Sequence, residues 1–213
     1  MIKNNEMFHS PHSSRPSTSS AILLWLLAFW LLTIGVRTNG HAVIQEPAKP
    51  ANFSGIQDLI YHQKYNEAIT RLEQILEKNP LNGEALTYMA TANLYHDLNF
   101  TKAQKEFEEA FRAGGGATFF VTHSHEKFNT DDVVDYCRGW LHLRADEVEF
   151  APNEGGHGFK LKYNEVEEFK QNRLSKTVFH IKVGGKSQNF RGRLNSDLEP
   201  LLIIALYKRF ARN

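Results

Sequence analysis

Residues 65–80 read Tyr-Asn-Glu-Ala-Ile-Thr-Arg-Leu-Glu-Gln-Ile-Leu-Glu-Lys-Asn-Pro, and residues 100–111 read Phe-Thr-Lys-Ala-Gln-Lys-Glu-Phe-Glu-Glu-Ala-Phe. Tyr65 and Ala68 in the first stretch correspond to Phe100 and Ala103 in the second, and both pairs are 35 positions apart. A fixed period near this length is typical of helical repeats. In each copy the aromatic residue, the alanine and a later large apolar residue lie along one side of a helix. The two stretches therefore predict two helices that pack through the same face.

This pattern resembles the tetratricopeptide repeat (TPR) family, whose unit is a pair of antiparallel helices. The positions that match the second helix and closing proline of one unit are Tyr65, Ala68, Leu72, Ile75 and Pro80. The positions that match both helices of the next unit are Leu86, Met89, Ala90, Ala103, Phe107 and Ala110. The resemblance covers residues 56–113 and implies a short helical module of about one and a half units. An ordinary helical hairpin is the alternative.

By the same resemblance, Tyr88, Thr91, Ala92 and Tyr95 lie on the concave side of the better repeat. Solenoid repeats use their concave surfaces to bind other proteins, so these four residues are the candidate partner-binding residues. A repeat unit buries its apolar face against the next unit, and this array is too short to cover its own end. We therefore expect the end to be covered by the rest of the chain, by a second copy in a homodimer, or by the partner protein.

The period of the sequence changes after Gly114-Gly115-Gly116, which we expect to end the helical module. From residue 117 to residue 190, apolar side chains alternate with polar ones in about seven short runs separated by turn signals such as Gly184-Gly185. Residues 197–212 then return to a helical period, with Ser196 or Asp197 as the N-cap. The apolar face predicted for this helix consists of Leu198, Leu201, Leu202, Ala205, Leu206 and Phe210.

Seven consecutive short strands followed by one amphipathic helix resemble the pleckstrin-homology (PH) architecture, in which the helix plugs one end of a partly closed barrel. The resemblance covers residues 117–213 and rests on the order of the elements. An unrelated antiparallel sheet with a covering helix is the alternative. In either case the predicted fold class is α+β, with a helical module followed by an antiparallel β domain.

The N-terminal part of the chain carries a candidate membrane segment. Residues 1–20 are polar and predicted to form a disordered tail, whereas residues 21–36 are uncharged and apolar. As a helix, residues 21–36 would span about 24 Å, slightly less than a hydrocarbon core. We favour an uncleaved single-pass anchor in the cell membrane over a cleaved signal peptide, which would make the protein secreted. The positive-inside rule places the domains that follow outside the cytoplasm, and residues 37–55 are predicted to be a linker.

Composition excludes several classes of function. The formal net charge of +1 provides no excess of basic residues for binding nucleic acid. The single cysteine, Cys137, excludes an internal disulfide framework, and we expect it to be a small buried apolar side chain. The sequence contains no nucleophile elbow, phosphate-binding loop or dinucleotide fingerprint. We therefore predict a protein that is not an enzyme and that needs no cofactor.

A second hypothesis concerns histidines. His123 and His125 are two positions apart in a predicted strand, so their side chains share one face and are able to bind one metal ion. The pair resembles the start of the His-x-His-x-Asp-His pattern of metallo-β-lactamases, but the Asp and the third His are absent. Histidines in a half-buried sheet with polar neighbours are the alternative explanation. A phosphoinositide site is not favoured, because the segment 126–132 between the first two strands is net acidic.

The leading prediction from the sequence is thus a membrane-anchored, non-catalytic scaffold that binds another protein through Tyr88, Thr91, Ala92 and Tyr95. The alternative is an extracytoplasmic protein that binds a metal ion or small ligand through His123 and His125.

Overall fold

The computed structural model describes residues 53–125 and 136–212. The predicted tail, the membrane segment at 21–36 and all of the linker up to residue 52 lie outside the described residues. Across the described ranges, each helix is too short or too polar to cross a bilayer.

Four helices form the N-terminal half of the described chain: α1 (Ser54–Tyr61), α2 (Tyr65–Lys78), α3 (Gly83–Asp97) and α4 (Phe100–Arg112). Asparagine side chains begin two of them. The side-chain oxygen of Asn82 accepts a hydrogen bond from the Ala85 N–H, and that of Asn99 accepts one from the Lys102 N–H, both at 3.0 Å. Such caps satisfy N–H groups that the first turn of a helix leaves without partners. The predicted helical segment is therefore confirmed, although its first helix begins at Ser54 rather than after residue 55.

The central helix of this layer is α3, which packs between α2 and α4 and also against the first strand. Its buried side chains point in every direction around the helix, which is the pattern of a helix enclosed on all sides. By contrast, α2 and α4 bury one stripe each, and the repeated alanines Ala68 and Ala103 lie in those stripes. The small side chains allow α3 to approach closely, as the 35-residue period predicted.

Seven strands follow: β1 (Ala117–Ser124), β2 (Tyr136–Leu143), β3 (Glu147–Pro152), β4 (Phe159–Lys162), β5 (Glu168–Gln171), β6 (Val178–Val183) and β7 (Lys186–Gly192). They form one curled antiparallel sheet in the order β4-β3-β2-β1-β7-β6-β5. Gly184 and Gly185 both have positive φ angles, 55° and 76°, as a two-residue hairpin turn requires. The prediction of seven antiparallel strands is confirmed.

The strand β1 is buried on both of its faces. The odd-numbered side chains Phe119, Val121 and His123 face the inside of the curled sheet, where Phe150 and Phe190 surround His123. Of the even-numbered side chains, Phe120 contacts Trp140 and Tyr61 on the side that the helices cover. The helical layer and the sheet thus share one continuous core.

The C-terminal helix α5 (Leu198–Phe210) packs against the sheet and against α4. Phe210 stacks on Phe111 of α4 with ring centroids 4.0 Å apart. The predicted apolar face is correct for Leu202, Leu206 and Phe210 but wrong for Leu198, Leu201 and Ala205, which are exposed. Glu199, Ile203 and Ile204 are buried instead, because α5 packs against two layers and not against one.

Candidate metal centre

The candidate site lies inside the curled sheet, at the end from which residues 125 and 136 leave the β1–β2 hairpin. His123 on β1 is paired directly with Cys137 on β2, so their side chains point to the same face. His125 follows two positions after His123 and shares that face. The local sequence therefore brings two imidazoles and one thiol together through strand alternation and cross-strand pairing.

The donor atoms of these three side chains are close to one another. Cys137 Sγ is 3.1 Å from His125 Nε2 and 3.6 Å from His123 Nδ1. One ligand atom from each of the three residues lies within 4.8 Å of the others. In a tetrahedral zinc site, bond lengths of about 2.3 Å to sulfur and 2.1 Å to nitrogen place such atoms about 3.6 Å apart. The three donors are thus near the separation that one zinc ion requires.

Gln188 fixes the orientation of the His123 ring. Its Nε2 lies 2.8 Å from Gln188 Oε1 on β7. The amide oxygen only accepts hydrogen bonds, so the Nε2–H donates and Nδ1 presents its lone pair toward Cys137. Burial lowers the pKa of His123 below its usual value; the hydrogen bond with Gln188 opposes this decrease, and His125 and His157 add to it. The ring is therefore neutral at physiological pH, which is the form that binds metals.

The β3–β4 connection brings a third histidine to the edge of this group. His157 is exposed, and its ring centroid is 5.0 Å from that of His125 at an angle of 90°. The preceding Gly156 has a φ of 95° and lies against Cys137, where an added Cβ would be 2.9 Å from the Cys137 Cβ. Glycine is required here both for the backbone conformation and for the close approach.

The chemistry of this donor set selects among metal ions. Imidazole nitrogen and thiolate sulfur bind zinc and copper well, whereas calcium and magnesium prefer oxygen ligands. His123 and Cys137 lie on paired strands and His125 directly follows β1, while the aromatic rings of Phe150 and Phe190 lie against His123.

The structure brings His123 and His125 together, as the sequence predicted, and it adds Cys137 and Gln188, whose roles the sequence did not reveal. The expectation that Cys137 is buried is confirmed, since its exposed fraction is 7%. Cys137 joins the histidines because the register of β1 and β2 pairs it with His123. A short turn would have specified that register in the sequence, but the β1–β2 connection is long.

Two other histidines of the strands lie elsewhere. His142 Nδ1 lies 3.0 Å from Thr118 Oγ1 on the side that the helices cover, and burial lowers its pKa to about 3. His180 Nε2 is 2.9 Å from Glu168 Oε2.

The four residues predicted to bind a partner are at most 4% exposed: Tyr88, Thr91, Ala92 and Tyr95. The expectation that they line an open concave surface is therefore corrected. Thr91 Oγ1 donates a hydrogen bond to the Thr118 carbonyl at 2.9 Å, and the Phe120 N–H donates one to the Tyr95 hydroxyl at 2.9 Å. Thr91 and Tyr95 thus face β1, where the β domain covers the end that the short helical module leaves open. Tyr88 instead stacks on Phe53, with ring centroids 5.3 Å apart, and its hydroxyl accepts a hydrogen bond from Gln57 Nε2 of α1 at 2.6 Å.

Tyr95 belongs to a buried polar network that joins α3, the sheet and α5. Its hydroxyl donates to Glu199 Oε1 at 3.0 Å, and the Leu194 N–H donates to Glu199 Oε2 at 2.8 Å. Burial raises the pKa of Glu199 to about 7, although these hydrogen bonds oppose the increase. Arg193 lies over the rings of Tyr95 and Phe120 and donates to the Tyr61 carbonyl at the end of α1 at 3.0 Å.

No protein-family model matches this chain, and no curated protein matches it. Three solved structures match part of it. The N-terminal PH domain of human ARAP2 is 8% identical, with a TM-score of 0.36 over 45% of this chain and 77% of the domain. The C-terminal domain of an unknown protein from Leishmania infantum is 10% identical, with a TM-score of 0.33 over 43% of this chain and 81% of that domain.

The third structure, inner membrane complex sub-compartment protein 3 from Toxoplasma gondii, is 9% identical, with a TM-score of 0.33 over 51% of this chain and 82% of that protein. The structural similarity includes a PH domain, and none of these comparisons supports the TPR assignment. They say nothing about what this chain binds.

Proposed function

We propose that this protein binds one zinc ion through His123, His125 and Cys137. The observation that carries the proposal is the meeting of two imidazoles and one thiol within 4.8 Å inside the curled sheet. Protein zinc sites use these ligand types. His123 lies on β1, His125 directly follows it, and Cys137 lies on the neighbouring β2. The metal-binding alternative of the sequence is therefore the function that the geometry supports best.

The hydrogen bond between His123 and Gln188 is of a kind that is common in metal sites. Histidine ligands usually donate their second ring N–H to an oxygen acceptor, which fixes the tautomer and directs the other nitrogen at the metal. Gln188 stands in this relation to His123, at 2.8 Å. In the absence of metal, the Cys137 thiol is able to donate a hydrogen bond to His125 Nε2, which lies 3.1 Å away.

We propose binding and not catalysis as the role of the metal. The ring centroid of His157 is 5.0 Å from that of His125, so a small movement of this exposed side chain would bring it to the metal as a fourth ligand. A site closed by four protein ligands stabilises a fold or stores the metal. A catalytic zinc site instead keeps one position open for water or substrate. Ligation by His157 would also tie the β3–β4 connection to β1.

The test is the metal content of the full-length protein, purified without a histidine tag and titrated with Zn²⁺ and Co²⁺ after removal of bound metal. We expect one metal per chain, a thiolate-to-cobalt charge-transfer absorption, and an increase in unfolding free energy of about 3 kcal/mol at a hundredfold excess over the dissociation constant. His123→Ala and Cys137→Ser should abolish all three, whereas the control His96→Ala, which replaces an exposed histidine on α3, should retain them. A wild-type protein that binds no stoichiometric metal, or that binds it equally well in Cys137→Ser, would refute the proposal.

The membrane-anchored scaffold is a second proposal, and the equivalent placement of α2 and α4 favours its helical module. Both helices pack on α3, and the repeated alanines Ala68 and Ala103 are buried in the two contacts. We propose that residues 56–113 are a short TPR-like module and that residues 117–213 are a PH-like barrel, held outside the cytoplasm by the 21–36 segment. A partner protein would bind a surface other than that of Tyr88 and Tyr95. Protease accessibility of a C-terminal tag in intact cells tests the orientation, because protection from external protease would contradict it.

A further inference from the structure

The corner between α3 and α4 carries an acceptor pattern for N-linked glycosylation. Asn99-Phe100-Thr101 matches Asn-x-Ser/Thr, in which the middle residue is not proline. The sequence contains one other such pattern, Asn52-Phe53-Ser54, whose asparagine lies outside the described residues. A pattern this short also arises by chance, so the surroundings of Asn99 decide whether it is able to carry a sugar.

The side chain of Asn99 is placed as a glycan acceptor requires. Asn99 and Thr101 are both exposed. Asn99 is the N-cap of α4, and its Oδ1 accepts a hydrogen bond from the Lys102 N–H at 3.0 Å. Because the oxygen of the planar amide is directed at the first turn of the helix, Nδ2 on the other side of the amide is directed away from that turn. A glycan is attached through this nitrogen, so the cap and the sugar use different atoms of one side chain.

The backbone of this corner leaves room for a sugar. Leu98 ends α3 in the left-handed conformation, with a φ of 54°, and Asn99 is extended, with φ −97° and ψ 91°. Phe100 packs against the core, whereas Leu98 is 55% exposed. The contact of α4 with α5 includes the opposite end of α4, where Phe111 stacks on Phe210. A sugar on Asn99 therefore extends into solvent without disturbing that stack.

We propose that Asn99 carries an N-linked glycan. The inference rests on the proposed placement of both modules outside the cytoplasm and is independent of the zinc site. In the transfer, a bond forms between Nδ2 and the anomeric carbon of the sugar, while the bond from that carbon to the diphosphate of a lipid-linked oligosaccharide donor breaks. The amide loses one N–H proton, and the diphosphate leaves with the electron pair. The hydrophilic group would lie beside the exposed side chain of Leu98 and increase the solubility of this surface.

The electrophoretic mobility of the full-length, C-terminally tagged protein from cultured eukaryotic cells tests the inference, with and without digestion by a peptide N-glycosidase. All proteins carry Asn52→Gln, so a shift in mobility reports Asn99 alone. We expect one glycosidase-sensitive shift that is lost in Asn99→Asp and in Thr101→Val and retained in Thr101→Ser, which preserves the pattern. Asp is also a good N-cap, and Val has nearly the shape of Thr at this exposed position, so both variants should fold.

An acceptor pattern introduced elsewhere distinguishes failure of this inference from failure of the proposed orientation. Leu174→Thr creates a pattern that begins at Asn172, whose Oδ1 accepts a hydrogen bond from the Leu174 N–H at 2.9 Å, and Leu174 is 99% exposed. Combined with Asn99→Asp, this control reports whether the β domain reaches the glycosylation machinery. Glycosylation of the control but not of Asn99 overturns the inference and leaves the orientation standing. Absence of a glycan from both contradicts the orientation and the inference with it, and a shift that persists in Asn99→Asp alone also overturns the inference.

Discussion

Replacing Glu199 with Gln should remove a specific part of the pH dependence of stability. Glu199 has no exposed surface, and its oxygens accept hydrogen bonds from the Tyr95 hydroxyl on α3 and the Leu194 N–H. The side chain occupies the space beside Gly192, so it is not able to turn toward water. Its position is thus maintained by three elements at once, and its proton affinity differs from that in the unfolded chain.

The sign and size follow from the two pKa values. Burial raises the pKa of Glu199 from 4.5 to about 7, so the folded state binds the proton more tightly than the unfolded state does. The resulting stabilisation is fully present below the unfolded pKa of 4.5 and is lost as the pH rises through 7. A difference of about 2.5 pKa values corresponds to about 3 kcal/mol, of which about 2.5 kcal/mol falls between about pH 5 and about pH 8.

Urea unfolding of wild type and Glu199→Gln at about pH 5 and about pH 8 measures this contribution as a difference of differences. Other groups that titrate, His142 among them, act equally in both proteins and cancel. Between the lower and the higher pH, wild type should lose about 2.5 kcal/mol more unfolding free energy than Glu199→Gln does. The control, Glu67→Gln on the exposed face of α2, should match wild type at both pH values. Equal pH dependence in wild type and Glu199→Gln would refute the reasoning.

Two further predictions concern the contact between the helices and the sheet. Burial lowers the pKa of His142 from 6.5 to about 3, so the stabilisation from this residue is present above pH 6.5 and is lost as the pH falls toward 3. Over this range His142→Gln should lose about 4 kcal/mol less unfolding free energy than wild type does, and parallel acid-unfolding curves would contradict the prediction. Gly115→Ala should destabilise the fold by about 1–3 kcal/mol in urea unfolding, because the added Cβ would overlap the Gly83 carbonyl and lie 2.6 Å from Thr87 Oγ1. The control is Gly55→Ala, at an exposed position of α1, which should be neutral or stabilise the fold by up to about 1 kcal/mol. Equal losses of unfolding free energy in the two variants would be inconsistent with a local clash at Gly115.

Several features of this protein were determined by local sequence. The helices from Tyr65 to Arg112, the change to strands after Gly116, the turn at Gly184-Gly185 and the final helix all follow from periodicity and turn chemistry. These signals involve residues within a few positions of each other, so they act before any distant contact forms. The shared face of His123 and His125 was also determined locally, because residues two positions apart in an extended chain point to the same side.

What the sequence could not determine is which surface each element covers. The apolar side of α3 was equally compatible with a partner protein, and only the folded chain shows that Tyr95 reaches Phe120 and Glu199. Cys137 joined the two histidines through the β1–β2 register, and Arg138 and Arg191 came to lie on either side of Thr122 only because β7 pairs with β1. These contacts link residues separated by many positions, and their free energies depend on how whole layers pack. The local pattern therefore determined the elements, and tertiary packing decided the sites.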